Sequence, residues 1–371
     1  MRILFTIMNF PPSAFGGQAS CMYPVIKELS KTNFDISVLT TNYKIPPEIS
    51  IRTDNWINFE GIRIIYIRTH IHYSLSLKYL YTGFKEIKKT DQIHLNGFFY
   101  FPNIIFLILG LALKKRIIIS PHGELFSPAL KSKYWKKKPY LWIMRFLAKS
   151  ADFIATSTDE AKQIRRYYPK AYISIVPNFI ELKPQLSAKR LNQFIFLGRI
   201  SKIKRIENLI IACSLSKYFI SHNFIFLFAG PTEKQFYKYE SQLRELVRQH
   251  KLDKNICFLG EIHSPKKEVL LAESKAMFIV SDSENFGNVV IESLSQGTPV
   301  VASKGTPWIS LIENNSGFWI NNSPESIADA MDEIVLMSAD SIAVMSQNAI
   351  AHSKEFIKEK ILPQWFDILN K

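Results

Sequence analysis

Short apolar runs rich in β-branched and aromatic residues alternate with segments of helical length from the N-terminus to about residue 322. The runs at 2–8, 35–41, 62–67, 92–95, 116–120, 152–156 and 172–176 read as strands. The stretches at 18–31, 75–88, 103–114, 137–149 and 158–167 read as helices. A strand covered on both faces is nearly continuous in its apolar residues, and two parallel strands need a crossover of helical length between them. The alternation therefore predicts β-α-β units on parallel sheets. It breaks at 177–191, where Pro177 and Pro184 interrupt a stretch without periodicity, and the linker is expected there. It restarts with strands at 194–197, 224–229, 255–259, 276–280 and 299–302, and with helices at 206–218, 234–250, 266–273, 288–296 and 324–336. After residue 322 only helices are expected, the last over 353–369. The expectation is an α/β protein of two doubly wound parallel-sheet domains, residues 1–180 and 192–352, with their carboxyl strand edges facing across one cleft. Residues 353–371 form a C-terminal helix that packs back on the first domain.

The 371 residues are 47% hydrophobic and 21% charged, enough for two buried cores and unlike a disordered chain. Cys21, Cys213 and Cys257 lie far apart with no C-x-x-C spacing, so a reducing compartment is expected rather than a disulfide framework. Residues 1–9 are apolar over too short a stretch to be a secretory leader. In the uncharged run 92–113 only 104–113 is continuously apolar, short of the ~20 residues a span needs, which suits a buried helix and predicts no transmembrane segment. Charge is distributed unevenly. Residues 1–185 hold 26 Lys and Arg against 12 Asp and Glu, whereas 186–371 hold 21 against 20. An anionic partner for the first half is implied. Its most basic stretch, Lys131-Ser-Lys133-Tyr-Trp135-Lys-Lys-Lys138 followed by Tyr140, Trp142 and Arg145, is either a membrane interface or a solvated cationic face with packed aromatics.

The dinucleotide fingerprint G-x-G-x-x-G is absent after each domain's first strand. In its place the first turn carries Gly16-Gly17 before a helix, either a phosphate-approaching loop or a plain tight turn. The second domain's first turn reads Gly198-Arg199-Ile-Ser-Lys-Ile-Lys204-Arg205; Arg199 and Lys204 are either the cations for a diphosphate or exposed loop charges. The most ordered pattern is Ser281-Asp282-Ser-Glu284-Asn-Phe286-Gly287-Asn288-Val289-Val-Ile-Glu292, followed by Gly297-Thr-Pro299-Val-Val-Ala302. Glu284 and Glu292 flank a glycine turn into a helix, where both carboxylates and the first amide N–H groups of the helix can face one ligand; the alternative is a pair of surface glutamates, which the ordered context disfavours. No Asp-x-Asp occurs. His70-Ile-His72 lacks a third ligand, so no catalytic metal is expected.

These residues resemble glycosyltransferase family four, retaining enzymes of the GT-B fold that use nucleotide sugars. The likeness is most specific over 281–302. It implies that Glu292 binds the donor ribose and that Glu284 contacts the sugar. Arg199 and Lys204 would hold the diphosphate with the N–H groups of Asn288 and Val289 and the Gly16-Gly17 loop, while Phe286 and Gly287 shape the turn. His122, in Ser120-Pro-His-Gly-Glu124, takes the family's position for a histidine at the sugar. Glu124 is read as an ordinary helix-start charge, with a second active-site carboxylate as the alternative, and Trp308 as either core or site. Arg205 replaces the glycine usual after the family's lysine, and Asn285 occupies a variable position.

The function implied is transfer of a sugar from a nucleotide diphosphate sugar, UDP-linked by family frequency, to a hydroxyl of a lipid-linked glycan. Segments such as 120–130 and Gly305-Thr-Pro-Trp308 resemble bacterial enzymes of O-antigen and capsule synthesis, which implies a cytoplasmic protein peripheral to the inner membrane face. No cofactor and no nucleic acid are expected as partners. The alternatives are a GT-B epimerase or phosphorylase, and a basic nucleic-acid-binding α/β protein.

Overall fold

The computed structural model describes residues 1–13, 17–69, 76–131 and 134–371. The chain divides into two compact units, Met1–Phe179 with Lys358–Lys371, and Ile180–Ile357.

Among the described residues, unit 1 holds an eight-stranded sheet. β1 (Arg2–Thr6), β2 (Asp35–Thr41), β4 (Ile62–Ile67), β5 (Gln92–Asn96), β6 (Arg116–Ser120), β7 (Asp152–Ala155) and β8 (Ile173–Ile175) are parallel. β3 (Trp56–Phe59) is added antiparallel at the edge. The order is β3-β4-β2-β1-β5-β6-β7-β8. The crossover helices α1 (Gln18–Leu29), α2 (Leu77–Lys89), α3 (Pro102–Ala112), α4 (Ser127–Lys131), α5 (Tyr134–Leu147) and α6 (Thr158–Tyr167) connect it. Strand interiors such as Ile3, Leu4 and Phe5 are wholly buried because both faces are covered, which is why these strands read as unbroken apolar runs. β3 escapes sequence reading because three of its four residues are only half-buried and Asn58 is exposed; the Glu60-Gly61 turn, with φ of 50° and 87°, folds it onto β4.

Among the described residues, unit 2 has a six-stranded, all-parallel sheet ordered β11-β10-β9-β12-β13-β14. The strands are β9 (Gln193–Leu197), β10 (Ile225–Ala229), β11 (Ile256–Gly260), β12 (Ala276–Ile279), β13 (Val300–Ser303) and β14 (Gly317–Ile320). The helices α7 (Ile206–Leu215), α8 (Tyr237–Gln249), α9 (Lys266–Glu273), α10 (Asn288–Ser295), α11 (Ser310–Glu313), α12 (Pro324–Leu336) and α13 (Ala339–Ser353) cover it. β14, half-buried throughout, is the second strand that the apolar pattern misses.

The expected helix over 353–369 is corrected. α13 ends at Ser353, Ile357 turns extended (φ −85°, ψ 158°), and α14 (Lys358–Leu369) starts afresh. α14 belongs to unit 1, where it buries Ile361, Trp365, Ile368 and Leu369 against Ile3, Phe5 and Ile26. Arg116, paired with Asp152 at 2.9 Å, donates to the Ile368 carbonyl at 2.7 Å, so a cation satisfies the C-terminal end of that helix. No single described helix is long and apolar enough to cross a membrane.

Each strand order reverses direction once, between β1 and β5 in unit 1 and between β9 and β12 in unit 2. At such a switch point the connections leave to opposite sides and open a crevice outside the carboxyl ends of the strands.

Candidate active site

In unit 2 the chain leaves β9 through Gly198, which is held against β10's exit: a Cβ on Gly230 would lie 1.9 Å from the Gly198 carbonyl oxygen. Only glycine lets the two backbones approach so closely. A short 3-10 turn, Lys202–Lys204, then carries Lys204 back over the switch point, where its Nζ pairs with a Glu284 carboxylate oxygen. Both side chains are largely buried. Arg205 follows in the left-handed region, φ 51° and ψ 44°. This departure from glycine therefore preserves the backbone conformation glycine would take, at the strain an L side chain brings. Its guanidinium is anchored by Asp282 at 2.7 Å and Glu207 at 3.3 Å.

The turn after β12 is held on several sides. Glu284 N–H donates to the Gly305 carbonyl at 2.9 Å, and Asp282 N–H to that of Ile203 at 2.9 Å. Gly305 lies so near that a Cβ there would come within 2.3 Å of the Ser281 oxygen. Trp308, 2% exposed, donates its indole N–H to the Phe286 carbonyl and packs on Phe286 and Phe356 at ring distances of 5.2 Å. Trp308 is thus core: it fixes the turn from beneath and presents nothing to a ligand. Gly287 then caps α10 with φ 85°. Asn288 and Val289 form the helix's first turn, at the positive end of its dipole. Glu292 lies one turn on, above Asn288, and pairs with Lys267 of α9 at 2.9 Å. Arg199 pairs with Glu233 at 3.1 Å. Lys267 and Glu233 have no motif of their own in the sequence; each enters as the counter-ion of a residue that does. A small open cavity of about 160 Å³ lies beside this crevice, lined among others by Phe228, Gly230, Pro231, Phe258, Gly260 and Glu261 at the exits of β10 and β11.

In unit 1 the corresponding crevice gathers residues from the exits of β5 and β6 and from the start of α1. His122 takes φ 52°, and its Nε2 lies 3.0 Å from Asn96 Oδ1. Burial lowers its pKa to about 4, so the ring is neutral near pH 7. A neutral ring that donates through Nε2 to the amide oxygen keeps Nδ1 as an acceptor. Two carboxylates hold this loop. Glu160 accepts from Gly123 N–H at 2.6 Å and Thr156 N–H at 2.8 Å. Glu124 accepts from Phe98 and Phe99 N–H at 2.5 and 2.7 Å and from the Gln18 amide at 3.2 Å. Burial raises both carboxyl pKa values, and the backbone donors oppose that shift. The reading of Glu124 as a helix-start charge is corrected, because α4 begins only at Ser127 and the carboxylate is spent on the 97–99 loop. Gln18, Asn96 and Glu160 escaped the sequence reading, since single polar residues at strand exits and helix starts are unremarkable without their partners. Gly17, φ 89°, caps α1; Gly16 and the His70-Ile-His72 pair lie outside the described residues.

Residues 178–352 match the family model described as "Glycosyl transferases group 1", and residues 15–183 match "Glycosyltransferase Family 4". An "Uncharacterized 41.2 kDa protein in cps region" of Klebsiella pneumoniae is 26% identical over 74% of this chain and 76% of its own length. The GDP-mannose:cellobiosyl-diphosphopolyprenol alpha-mannosyltransferase of Xanthomonas oryzae is 21% identical over 99% and 96% of the two chains. Among solved structures, Anabaena HepE in complex with UDP and glucose superposes with a TM-score of 0.78 at 18% identity, over 100% of this chain and 99% of that one.

Proposed function

The chain belongs to glycosyltransferase family four and has the GT-B fold, and from that premise we propose that it moves a sugar from a nucleotide diphosphate sugar to a hydroxyl of a lipid-linked glycan in bacterial surface-polysaccharide synthesis. What carries this reading is the convergence at the unit 2 switch point of Lys204, Glu284, the start of α10 and, one turn along it, Glu292. A diphosphate entering there competes with Glu284 for Lys204. The exchange leaves the Glu284 carboxylate to accept hydrogen bonds from sugar hydroxyls. Glu292, likewise exchanging Lys267 for ligand, accepts from the ribose. Arg199 and the Asn288–Val289 end of α10 complete a positive field for the departing diphosphate.

The reaction breaks the bond between the anomeric carbon and the diphosphate oxygen and forms one from that carbon to the acceptor oxygen on the same face, retaining configuration. The hydroxyl proton goes to the leaving phosphate. Negative charge grows on the diphosphate as the bond breaks, so pre-placed cations stabilise the transition state more than the ground state. No metal is required on this account. Within unit 1, neutral His122 is proposed to accept a hydrogen bond from a hydroxyl through Nδ1.

UDP is the proposed nucleotide, supported by the complexes of HepE, with GDP as the second arm because the Xanthomonas relative is named for GDP-mannose. That relative's diphosphopolyprenol acceptor, the cps region of the Klebsiella relative and the basic first half support an acceptor at the cytoplasmic membrane face. The test is incubation of radiolabelled UDP- and GDP-sugars with a polyprenyl-diphosphate glycan in EDTA. An elongated, α-linked lipid product from an α-linked donor is expected. Donor hydrolysis or interconversion alone contradicts transfer, and a requirement for added metal contradicts the charge argument.

A further inference from the structure

We propose that α5 is a membrane-docking helix that seats unit 1 on an anionic lipid surface; this deepens the lipid-linked acceptor reading and rests on it. Trp135, Trp142 and Phe146 are 81%, 77% and 72% exposed, far beyond what burial-driven folding leaves for three large rings on one helix. They follow one another at spacings of seven and four residues, so with Pro139 they fall on a single face. The opposite face does the packing. Met144 is buried, Tyr140, Leu141 and Leu147 lean on the same core, and the Tyr140 hydroxyl donates to the Tyr100 carbonyl at 3.1 Å. A helix that already satisfies its inward face keeps an outward aromatic stripe for something outside the fold.

The chemistry of that partner is set by what edges the stripe. Lys138, Arg145 and Lys149 lie along one side by helical spacing, and all three are exposed. Lys149 stands 5.1 Å from the Phe146 ring and Lys138 5.9 Å from that of Trp135. No Asp or Glu occurs from residue 125 to 151, which holds seven Lys and Arg. A partner protein of mixed charge would meet a surface with nothing for its cations. A lipid headgroup layer offers only what this face takes: phosphates for the ammonium and guanidinium groups, and an interfacial zone where tryptophan rings sit with phenylalanine below them. Since α5 has only 14 residues, it lies in the interface plane and does not span.

The test uses the full chain and sucrose-loaded vesicles, either pure phosphatidylcholine or with about 30% phosphatidylglycerol, where each juxtaposed cation contributes roughly five-fold in partitioning. Wild type is expected to sediment with the anionic vesicles at least ten-fold more than with the neutral ones, with a blue shift of tryptophan emission. The W135S/W142S/F146S variant should lose that binding at least ten-fold, and so should Lys138→Glu with Arg145→Glu. All these side chains are exposed, so folding is expected to survive; circular dichroism and a UDP thermal shift check this independently and also report whether the nucleotide reading stands on its own. Equal vesicle binding by variant and wild type, no binding by wild type, or a wild-type dimer that the aromatic variant dissociates would each overturn the proposal.

Discussion

Arg205 offers a test of the second unit's turn after β9 in which the sign of the effect, not only its size, is diagnostic. Its φ of 51° and ψ of 44° put an L residue where glycine is at ease, at a cost of about 1 kcal/mol. The two ion pairs to Asp282 and Glu207 offset that cost. With the guanidinium about half-exposed, solvent screening limits them to roughly 0.5 kcal/mol each. Arg205→Gly removes the strain and the pairs together, so its net change is near zero. Arg205→Ala keeps the strain and loses the pairs, and should cost about 1 kcal/mol. The glycine variant should therefore unfold about 2–4 °C above the alanine variant in differential scanning calorimetry, the shift that 1 kcal/mol gives in a domain of this size. Both should bind nucleotide as wild type does if the loop path is unchanged. An alanine variant as stable as the glycine variant, or more so, would refute the left-handed conformation at 205 and the retention of the turn with it.

Acid should weaken unit 1 through its neutral histidines. His94, fully buried beside Ser120, has its pKa lowered to about 3 by burial, and His122 to about 4. The unfolded chain takes up protons near pH 6.5 while the fold does not, so stability is complete above that pH and falls through the window down to the folded values; each histidine removes about 2 kcal/mol between pH 8 and pH 5. Urea unfolding of wild type and His94→Gln at both pH values checks this, with the variant expected to show the smaller loss. Trp308→Phe deletes the donor to the Phe286 carbonyl and part of a buried ring, which should cost about 3 kcal/mol and lower the unit 2 transition by some 10 °C. A change under 2 °C would contradict its role beneath the turn after β12.

Doubly wound sheets were legible because parallel strands are buried on both faces, and the segments around Phe194 and Met277 admit almost nothing but apolar residues. β3 and β14 were not legible, since a half-buried edge strand carries no such signature. The restart of the chain at Lys358 was hidden because residues 353–369 keep helix-forming composition across one extended residue, Ile357. At the site, residues with a motif were found one by one, whereas their counter-ions were not. Glu233 and Lys267 are ordinary charges until strand order brings them to Arg199 and Glu292. Glu124 shows the converse: its position after a strand suggested a helix-start charge, and only the approach of the 98–99 amides reveals what the carboxylate does.

On the proposed function, the unit 2 switch point binds a nucleotide diphosphate through Lys204 and Glu292, and isothermal titration of UDP and GDP into wild type, Glu292→Ala and Lys204→Ala measures that binding. One nucleotide is expected to bind wild type and to lose at least ten-fold in affinity in each variant, about 1.4 kcal/mol apiece. Binding of equal strength in all three proteins, or no nucleotide binding by folded wild type, would contradict the account.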